Sequence, residues 1–392
     1  MNKYFAVVIC VFACIAAALA QSTPRARDLS IPFDGTSGAL NAITDVKGVE
    51  VGHTTLVSGS GKLQVGIGPV RTGVTAVLPR GHASVDPVFA AWFTLNGNGE
   101  MTGTTWVEES GFLEGPVMIT NTHSVGVVRD AVIAWQMKIG HAGEAQPWSL
   151  PVVAETLDGW LNDVNGFHVK PEHVFRALDT AHGGPVEEGN VGGGTGMICN
   201  GFKGGIGTAS RVLVGKAGGY SVGVLVQCNY GSRSYLRIAG VPLSPYFPED
   251  RKRAASSLRP DDLGSIIIVV ATDAPVLPHQ LKRMARRASL GLGRNGAISG
   301  NGSGDIFIAF STANLAAAGT TQVVPVQMLP NDLLNPLFEA TVQATEEAVV
   351  NAMIAAQDMT GIDDHFIPAL PKEKLRDALR QHGRLAEPTR TK

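Results

Sequence analysis

Nearly unbroken aliphatic runs set between glycine-rich turns are the dominant pattern of this chain. SVGVLVQCNYG (221–231), IIIVVAT (266–272) and NGSGDIFIAFST (301–312) read as strands rich in β-branched and aromatic residues. TDVKGVEVGHTTL (44–56), with a turn glycine between short apolar segments, reads as a hairpin. TGVTAVLPRG (72–81) and the glycine-rich stretch 95–126 continue as short strands and turns. A helical period appears in VGVVRDAVIAWQMKIG (125–140), where Val127, Val128, Ala131, Val132 and Trp135 recur on one side. SLPVVAETLDGWLND (149–163) predicts a strand followed by a loop, and PEHVFRALDTA (171–181) a short helix with Pro171 in its first turn. The glycine-dense segment 187–214 leads into the strand at 221, and HQLKRMARRASLGLG (279–293) reads as a helix. Residues 331–356 form the clearest long helix, with Asn331 as its cap and Leu334, Leu337, Phe338, Val342, Val349 and Met353 along one stripe. The last 20 residues are charged and read as a frayed end. Strands in runs, with helices between and after them, predict a layered α+β architecture.

Composition narrows the class. The chain has 392 residues, enough for one large core or two moderate ones. A formal net charge of -2 gives no footing for nucleic acid as a partner or for an anionic membrane surface. With 47 glycines and only 17% charged residues, the composition is that of a compact fold with many tight turns. Residues 1–20 read as a secretory signal: Lys3, the apolar run Phe5 to Leu19, then small residues around Ala18 and Ala20. The run is short for a membrane span, so the expectation is an exported, soluble, periplasmic protein starting near Gln21 without stable membrane association. Cys10 and Cys14 leave with the signal, and the remaining Cys199 and Cys228 read as two buried free thiols, with one bridge as the alternative. No CxxC or His-Cys cluster points to a metal.

The candidate chemistry sits at one junction. A proline- and charge-rich stretch (244–262) reads as an exposed loop, and Gly264-Ser265 then opens the aliphatic strand. An ordinary loop end is the plain reading. The sharper reading is self-cleavage before Ser265. A serine made N-terminal carries its own base, an α-amine of pKa about 7.7–8. Gly264 suits the cut by leaving its carbonyl unshielded and tolerating strained backbone. Ser303 and Asp305 lie two apart, on one face of a strand, and can relay a proton; a turn followed by a capping aspartate is the alternative. Glu155, a charge in an apolar strand, can hold a cationic amine or face water at the strand end. Asn229 can donate to an oxyanion or cap its turn. GLGRNG (291–296) matches G-x-G-x-x-G but closes a helix, so nucleotide binding is not supported, and no G-x-S-x-G elbow surrounds Ser303.

With these blocks in view, the chain resembles the self-processing serine aminopeptidases of the DmpA type and their β-peptidyl aminopeptidase relatives of the BapA type. The resemblance runs from NAITDVKGVEVGH through LNGNGEMTG, TNTHSVG, VVAETLDG, GFKGGIGTASR and GSIIIVVATDAP to SGNGSGDIFIAFSTAN. It implies a four-layer α/β/β/α sandwich similar to N-terminal nucleophile hydrolases. It also implies one precursor cut at Gly264-Ser265 into a large subunit (21–264) and a small one (265–392), the two making one catalytic domain. Ser265 matches the family nucleophile, Ser303 and Asp305 its assisting hydroxyl and acid, Asn229 its oxyanion asparagine, and Glu155 the glutamate that holds the substrate amine in the β-peptidyl branch. The chain departs at Leu157, where DmpA-type enzymes carry a tyrosine; the leucine implies a more apolar pocket wall and favours β-peptidyl activity.

The expectation is therefore an exported aminopeptidase that removes N-terminal residues, β-amino acids foremost, from small peptides and amides through an acyl-enzyme on Ser265. It needs no cofactor and assembles as αβ units, a tetramer by resemblance. The nearer alternative is an L-aminopeptidase and D-amino-acid esterase or amidase on the same machinery. The farther is a non-catalytic periplasmic binding protein that never cuts itself.

Overall fold

The structure is a computed structural model that describes residues 24–139, 148–215, 218–248, 264–318 and 321–385. The expected signal and most of the charged loop before Gly264 lie outside the described residues. In chain order the first strands are β1 (Glu50–Ser58), β2 (Val70–Leu78), β3 (Val88–Gly97), β4 (Phe112–Leu113), β5 (Val117–Asn121) and β6 (Val152–Thr156). Then come β7 (Ile198–Cys199), β8 (Phe202–Lys203), β9 (Gly205–Val212), β10 (Ser221–Asn229), β11 (Arg237–Ile238), β12 (Val241–Pro242), β13 (Ser265–Thr272) and β14 (Gly304–Ser311). The α-helices are α1 (Thr104–Ser110), α2 (Val125–Ile139), α3 (Pro171–Asp179), α4 (Pro278–Arg294), α5 (Asn335–Ala355) and α6 (Lys372–Gln381).

Two sheets face each other. One has the order β1-β2-β5-β6, the other β4-β3-β14-β13-β10-β9. Aliphatic side chains from both inner faces, among them Val77, Val117, Ala154, Leu225, Ile267, Val269 and Ile308, interdigitate as a single buried layer. Helices α2 and α3 cover the outside of the four-stranded sheet, and α4 and α5 the outside of the six-stranded one. The architecture is the α/β/β/α sandwich. Both faces of β13 are thus covered, which is why its sequence is a continuous aliphatic run and not an alternation. Each of Ile266 to Val270 is fully buried, worth about 1.5–3 kcal/mol apiece for side chains of this size.

Several local expectations change. Residues 44–56 are not a hairpin: a 3-10 turn at Ile43–Asp45 precedes β1, and the hairpin partner of β1 is β2, Glu50 facing Leu78. The stretch 95–126 holds helix α1 as well as strands. Helix α5 starts four residues after Asn331, whose side chain instead accepts hydrogen bonds from Gln280 and Arg283 of α4. Most of α5 is buried around its whole girth, because it packs on β9, β10 and α4 together, so a single stripe does not describe it. The charged C-terminal stretch is not all frayed: α6 docks Leu375, Ala378 and Leu379 into the core. Within the supposed exposed loop, Phe247 is buried and packs edge-on against Phe202.

Long-range ion pairs tie early to late chain. Glu347 of α5, buried, pairs with Arg27 (2.7 Å) and Arg211 (2.8 Å). Burial alone raises its carboxyl, but the two guanidiniums outweigh it and hold the group below the usual carboxylate range.

Candidate active site

The central strands of the six-stranded sheet bring Gly264, Ser265, Asn229, Ser303 and Asp305 to one end. Antiparallel pairing sets Asn229, the last residue of β10, opposite Ser265, the first of β13. Parallel pairing sets Ser265 opposite Gly304, the first of β14. One backbone donor serves two acceptors: the Gly304 N–H lies 3.1 Å from the Gly264 carbonyl oxygen and 3.2 Å from Ser265 Oγ. A donor shared in this way holds the Gly264 carbonyl and the Ser265 hydroxyl side by side. Gly264 is required by space. A Cβ there would come within 2.5 Å of Tyr230 Cα and 2.6 Å of the Asn229 carbonyl oxygen. Its φ is not among the left-handed ones, so the expected backbone strain plays no part.

Ser303 and Asp305 flank Gly304. Both are buried, and the Ser303 hydroxyl donates to Asp305 Oδ1 at 2.6 Å. Ser303 precedes β14 and is not within it, yet the two side chains meet as the spacing predicts. A bulge in β3 lies opposite: Asp305 pairs with Asn96 and Ile306 with Thr94, which skips Leu95. The loop bearing Ser303 is tethered from across the sheet. Asn96 Nδ2 donates to the Ser299 and Gly300 carbonyls, Asn98 Nδ2 to Gly302 (2.8 Å), and the Asn98 N–H to Ser303 (3.2 Å).

The Asn229 amide has a fixed sense. Its Oδ1 accepts from the Ile198 N–H (2.8 Å), so Nδ2 is the donor, and one of its hydrogens goes to the Leu157 carbonyl (2.9 Å). The segment carrying Ile198 is anchored in turn by Lys203, a buried lysine that donates to the carbonyls of Gly194 (3.3 Å), Met197 (2.8 Å) and Gly204 (2.8 Å). Burial pulls Lys203 down to about 7 and pushes Asp158, which follows Leu157, up to about 7. Cys199 and Cys228, the residues next to Ile198 and Asn229, are joined as a disulfide with Cα atoms 5.5 Å apart. The expectation of two free thiols is corrected: hairpin β7-β8 lies beside the end of β10, which brings the two sulfurs together.

The remaining candidates come from the other sheet. Glu155, near the end of β6, is only 4% exposed, so it does not face water as a strand-end charge. Its Oε1 accepts from the Glu100 N–H (3.0 Å) and its Oε2 from the Thr122 hydroxyl. Burial raises its carboxyl above the ordinary value; those two hydrogen bonds and the charge of His123 lower it, the charge of Glu100 raises it, and the net shift is upward. Gly99 connects the two sheets: a Cβ there would come within 3.2 Å of Glu155 Oε1 and 3.3 Å of Gly304 Cα. The Glu155 carboxyl and Gly304, the ladder partner of Ser265, therefore border one small space. Leu157 is 49% exposed beside them, a surface apolar wall.

The site also uses groups that reading by side-chain type did not single out. The Gly304 N–H is invisible to such a reading. Asn96, Asn98, Gly99 and Thr122 sit in the blocks LNGNGEMTG and TNTHSVG, whose density of asparagine and glycine was the available signal. No group of three or more acidic, histidine or cysteine side chains suited to a metal occurs among the described residues.

Comparison with known proteins shows the family and the fold. The family model described as peptidase family S58 matches residues 41–367. The chain is 57% identical over 383 residues to the β-peptidyl aminopeptidase BapA of Sphingosinicella microcystinivorans, spanning 95% of this chain and 96% of that one. It is 50% identical to the BapA of Sphingosinicella xenopeptidilytica over 372 residues, 92% of each chain. Among solved structures, the L-aminopeptidase D-Ala-esterase/amidase of Ochrobactrum anthropi, described as a variant of the Ntn hydrolase fold, superposes with a TM-score of 0.86. That likeness covers 93% of this chain and 100% of that one at 49% identity. A Burkholderia sp. β-aminopeptidase gives a TM-score of 0.83 at 48% identity, again over 93% and 100%. The sandwich is therefore of the N-terminal nucleophile hydrolase kind.

Proposed function

This chain belongs to peptidase family S58, and from that membership we propose that it is a self-cleaving serine aminopeptidase that releases N-terminal β-amino acids. The observation that carries this reading is the Gly304 N–H shared between the Gly264 carbonyl and the Ser265 hydroxyl, with the Asn229 amide across the strand.

In maturation, Ser265 Oγ attacks the Gly264 carbonyl carbon. The new C–O bond forms as the hydroxyl proton passes toward the Ser303–Asp305 pair, and the Gly304 N–H steadies the oxyanion. The C–N bond then breaks, its nitrogen takes the proton, and an ester links Gly264 to Ser265 Oγ. Water opens the ester to leave a Gly264 carboxylate and a Ser265 carrying a free α-amine. The two products are residues 21–264 and 265–392, the first after loss of a signal at 1–20. They stay joined, because β13 and β14 lie between strands of the larger fragment and Arg27 and Arg211 hold Glu347.

In turnover, Glu155 binds the substrate ammonium and Ser265 Oγ attacks the first amide carbonyl. The Ser265 amine and the Ser303–Asp305 pair carry the proton to the leaving amine, and the second Asn229 N–H donates to the oxyanion. Water then releases the amino acid from the acyl-enzyme. Leu157 on the wall and the naming of the BapA relatives support a β-amino acid at the cleaved end. Export to the periplasm belongs to the same reading, and the Cys199–Cys228 disulfide supports an oxidising compartment. Assembly of αβ units into a tetramer remains part of the proposal.

The test is intact-mass spectrometry of the denatured purified protein beside Ser265→Ala, followed by β-alanyl, L-alanyl and D-alanyl amide assays. Two fragments, one beginning at Ser265, an uncut variant and preference for the β-alanyl amide are expected. One intact chain in both samples removes the proposal; cleavage with preference for the L- or D-alanyl amide moves the enzyme to the aminopeptidase and amidase alternative.

A further inference from the structure

Helix α4 carries its charge on the outer helical layer, apart from the serine centre. Three of its guanidiniums gather there. Arg283 and Arg287, one turn apart, both stand over the Phe338 ring of α5, their Cζ atoms 5.0 Å and 3.8 Å from its centroid. Arg286 stands over Phe93 of β3 at 5.3 Å. Arg287 Nη1 donates to the Arg283 carbonyl (2.8 Å), and Arg283 Nη1 to Asn331 Oδ1 (3.0 Å). None of the three pairs with a carboxylate among the described residues, whereas neighbouring Lys282 binds Glu108 at 2.6 Å. Burial, then the charges of Arg283 and Arg286, pulls Arg287 below its ordinary value, which places the three cations within electrostatic reach of one another.

Like charges so gathered repel, and a solvated basic face normally spreads its side chains to relieve this. Here two guanidiniums are held over the Phe338 ring and a third over Phe93. A cation–π contact leaves a guanidinium its N–H groups to donate, and those not engaged by Asn331 or the Arg283 carbonyl suit an oxyanion, which accepts such a fork in bidentate fashion. We propose that Arg283, Arg286 and Arg287 form a second site that binds a multivalent phosphate-type oxyanion. The proposal is independent of the reading of Ser265.

Titration calorimetry of the full-length protein with inorganic pyrophosphate, at low ionic strength and against potassium chloride of matched ionic strength, tests it. Saturable binding is expected for pyrophosphate alone. Arg283→Gln with Arg287→Gln should weaken it about tenfold or more, since two charged forked donors are lost together. Arg287→Lys, which keeps the charge but loses the fork, should fall between. The far-UV circular dichroism spectrum should be unchanged in all variants, which establishes that each is folded. Flotation with phosphatidylglycerol vesicles against phosphatidylcholine vesicles separates the sources: arginine-dependent flotation places the phosphate on a lipid, and pyrophosphate binding without flotation makes it a free anion. Equal heats from pyrophosphate and chloride with no flotation, or undiminished binding in the double variant, overturns the proposal.

Discussion

The two sheets contribute differently to the site. In the proposed reaction the six-stranded sheet supplies the reacting groups from its interior: Ser265, Gly304 and Asn229 come from three adjacent strands, locked by the ladder registers of β10, β13 and β14. In the same proposal the four-stranded sheet supplies recognition from an edge. Glu155 sits near the end of β6, an outer strand, and Leu157 in the loop beyond it is half exposed. Proton transfer and attack tolerate only small misplacement, so those groups stand on buried strands held from both sides. Substrate choice is set where side chains can change without disturbing a ladder.

If this division holds, substitutions in the two sheets should differ in kind. The largest effect after loss of Ser265 itself is expected for Asp305→Asn. It removes the acceptor charge from the Ser303 hydroxyl and should slow both self-cleavage and amide turnover by about 10²–10⁴-fold. The fraction of uncut chain over time, with kcat of the cut remainder, measures this; normal cutting with normal kcat would break the assignment. Asn229→Ala should lower kcat by about 10²–10³-fold while leaving KM close to native, because its free N–H is engaged only as negative charge develops. A change confined to KM would instead place Asn229 with the recognition groups.

For the other sheet, Glu155→Gln should leave self-cleavage intact and lower kcat/KM for free-amine substrates by about ten- to a hundredfold, the worth of a charged hydrogen bond of about 1.5–3 kcal/mol. Its pH behaviour sharpens the point. Burial raises the Glu155 pKa above its ordinary 4.5, and only the ionised form attracts an ammonium. Activity of the native enzyme should thus be lost as pH falls through that raised value, and Glu155→Gln should lack this limb of the kcat/KM profile. The smallest effect is expected for Leu157→Tyr, a shift of about tenfold in the ratio of β-alanyl to L-alanyl amide turnover with self-cleavage unaffected. A fall in cutting rate would show that this wall also serves the chemistry.

Much of this was legible in the sequence where local chemistry and pattern coincide. The aliphatic run after Ser265 announced a strand covered on both faces, and the spacing of Ser303 and Asp305 announced a shared direction that the 2.6 Å hydrogen bond realises. Three departures from the local pattern have one cause. The 44–56 segment does not close on itself, α5 is not one-sided and the C-terminal stretch is not all loose; in each, the deciding partner lies far away in the chain. Val77 faces Val51 across a long connection, and α6 is held by contacts that its many charges conceal. The cysteines failed for the same reason, since 29 residues of separation reveal nothing about sulfurs brought together by a small hairpin.

By itself the sequence determined the residue types and the strand that would carry a nucleophile, because a hydroxyl, an acid and an aliphatic period are local properties. Only the tertiary structure decided which backbone N–H stands beside Ser265, which way the Asn229 amide points, and that Glu155 shares a space with Gly304 through Gly99. Those are relations between strands remote in the chain, fixed by ladder register and by the packing of one sheet on another, and no local pattern encodes them.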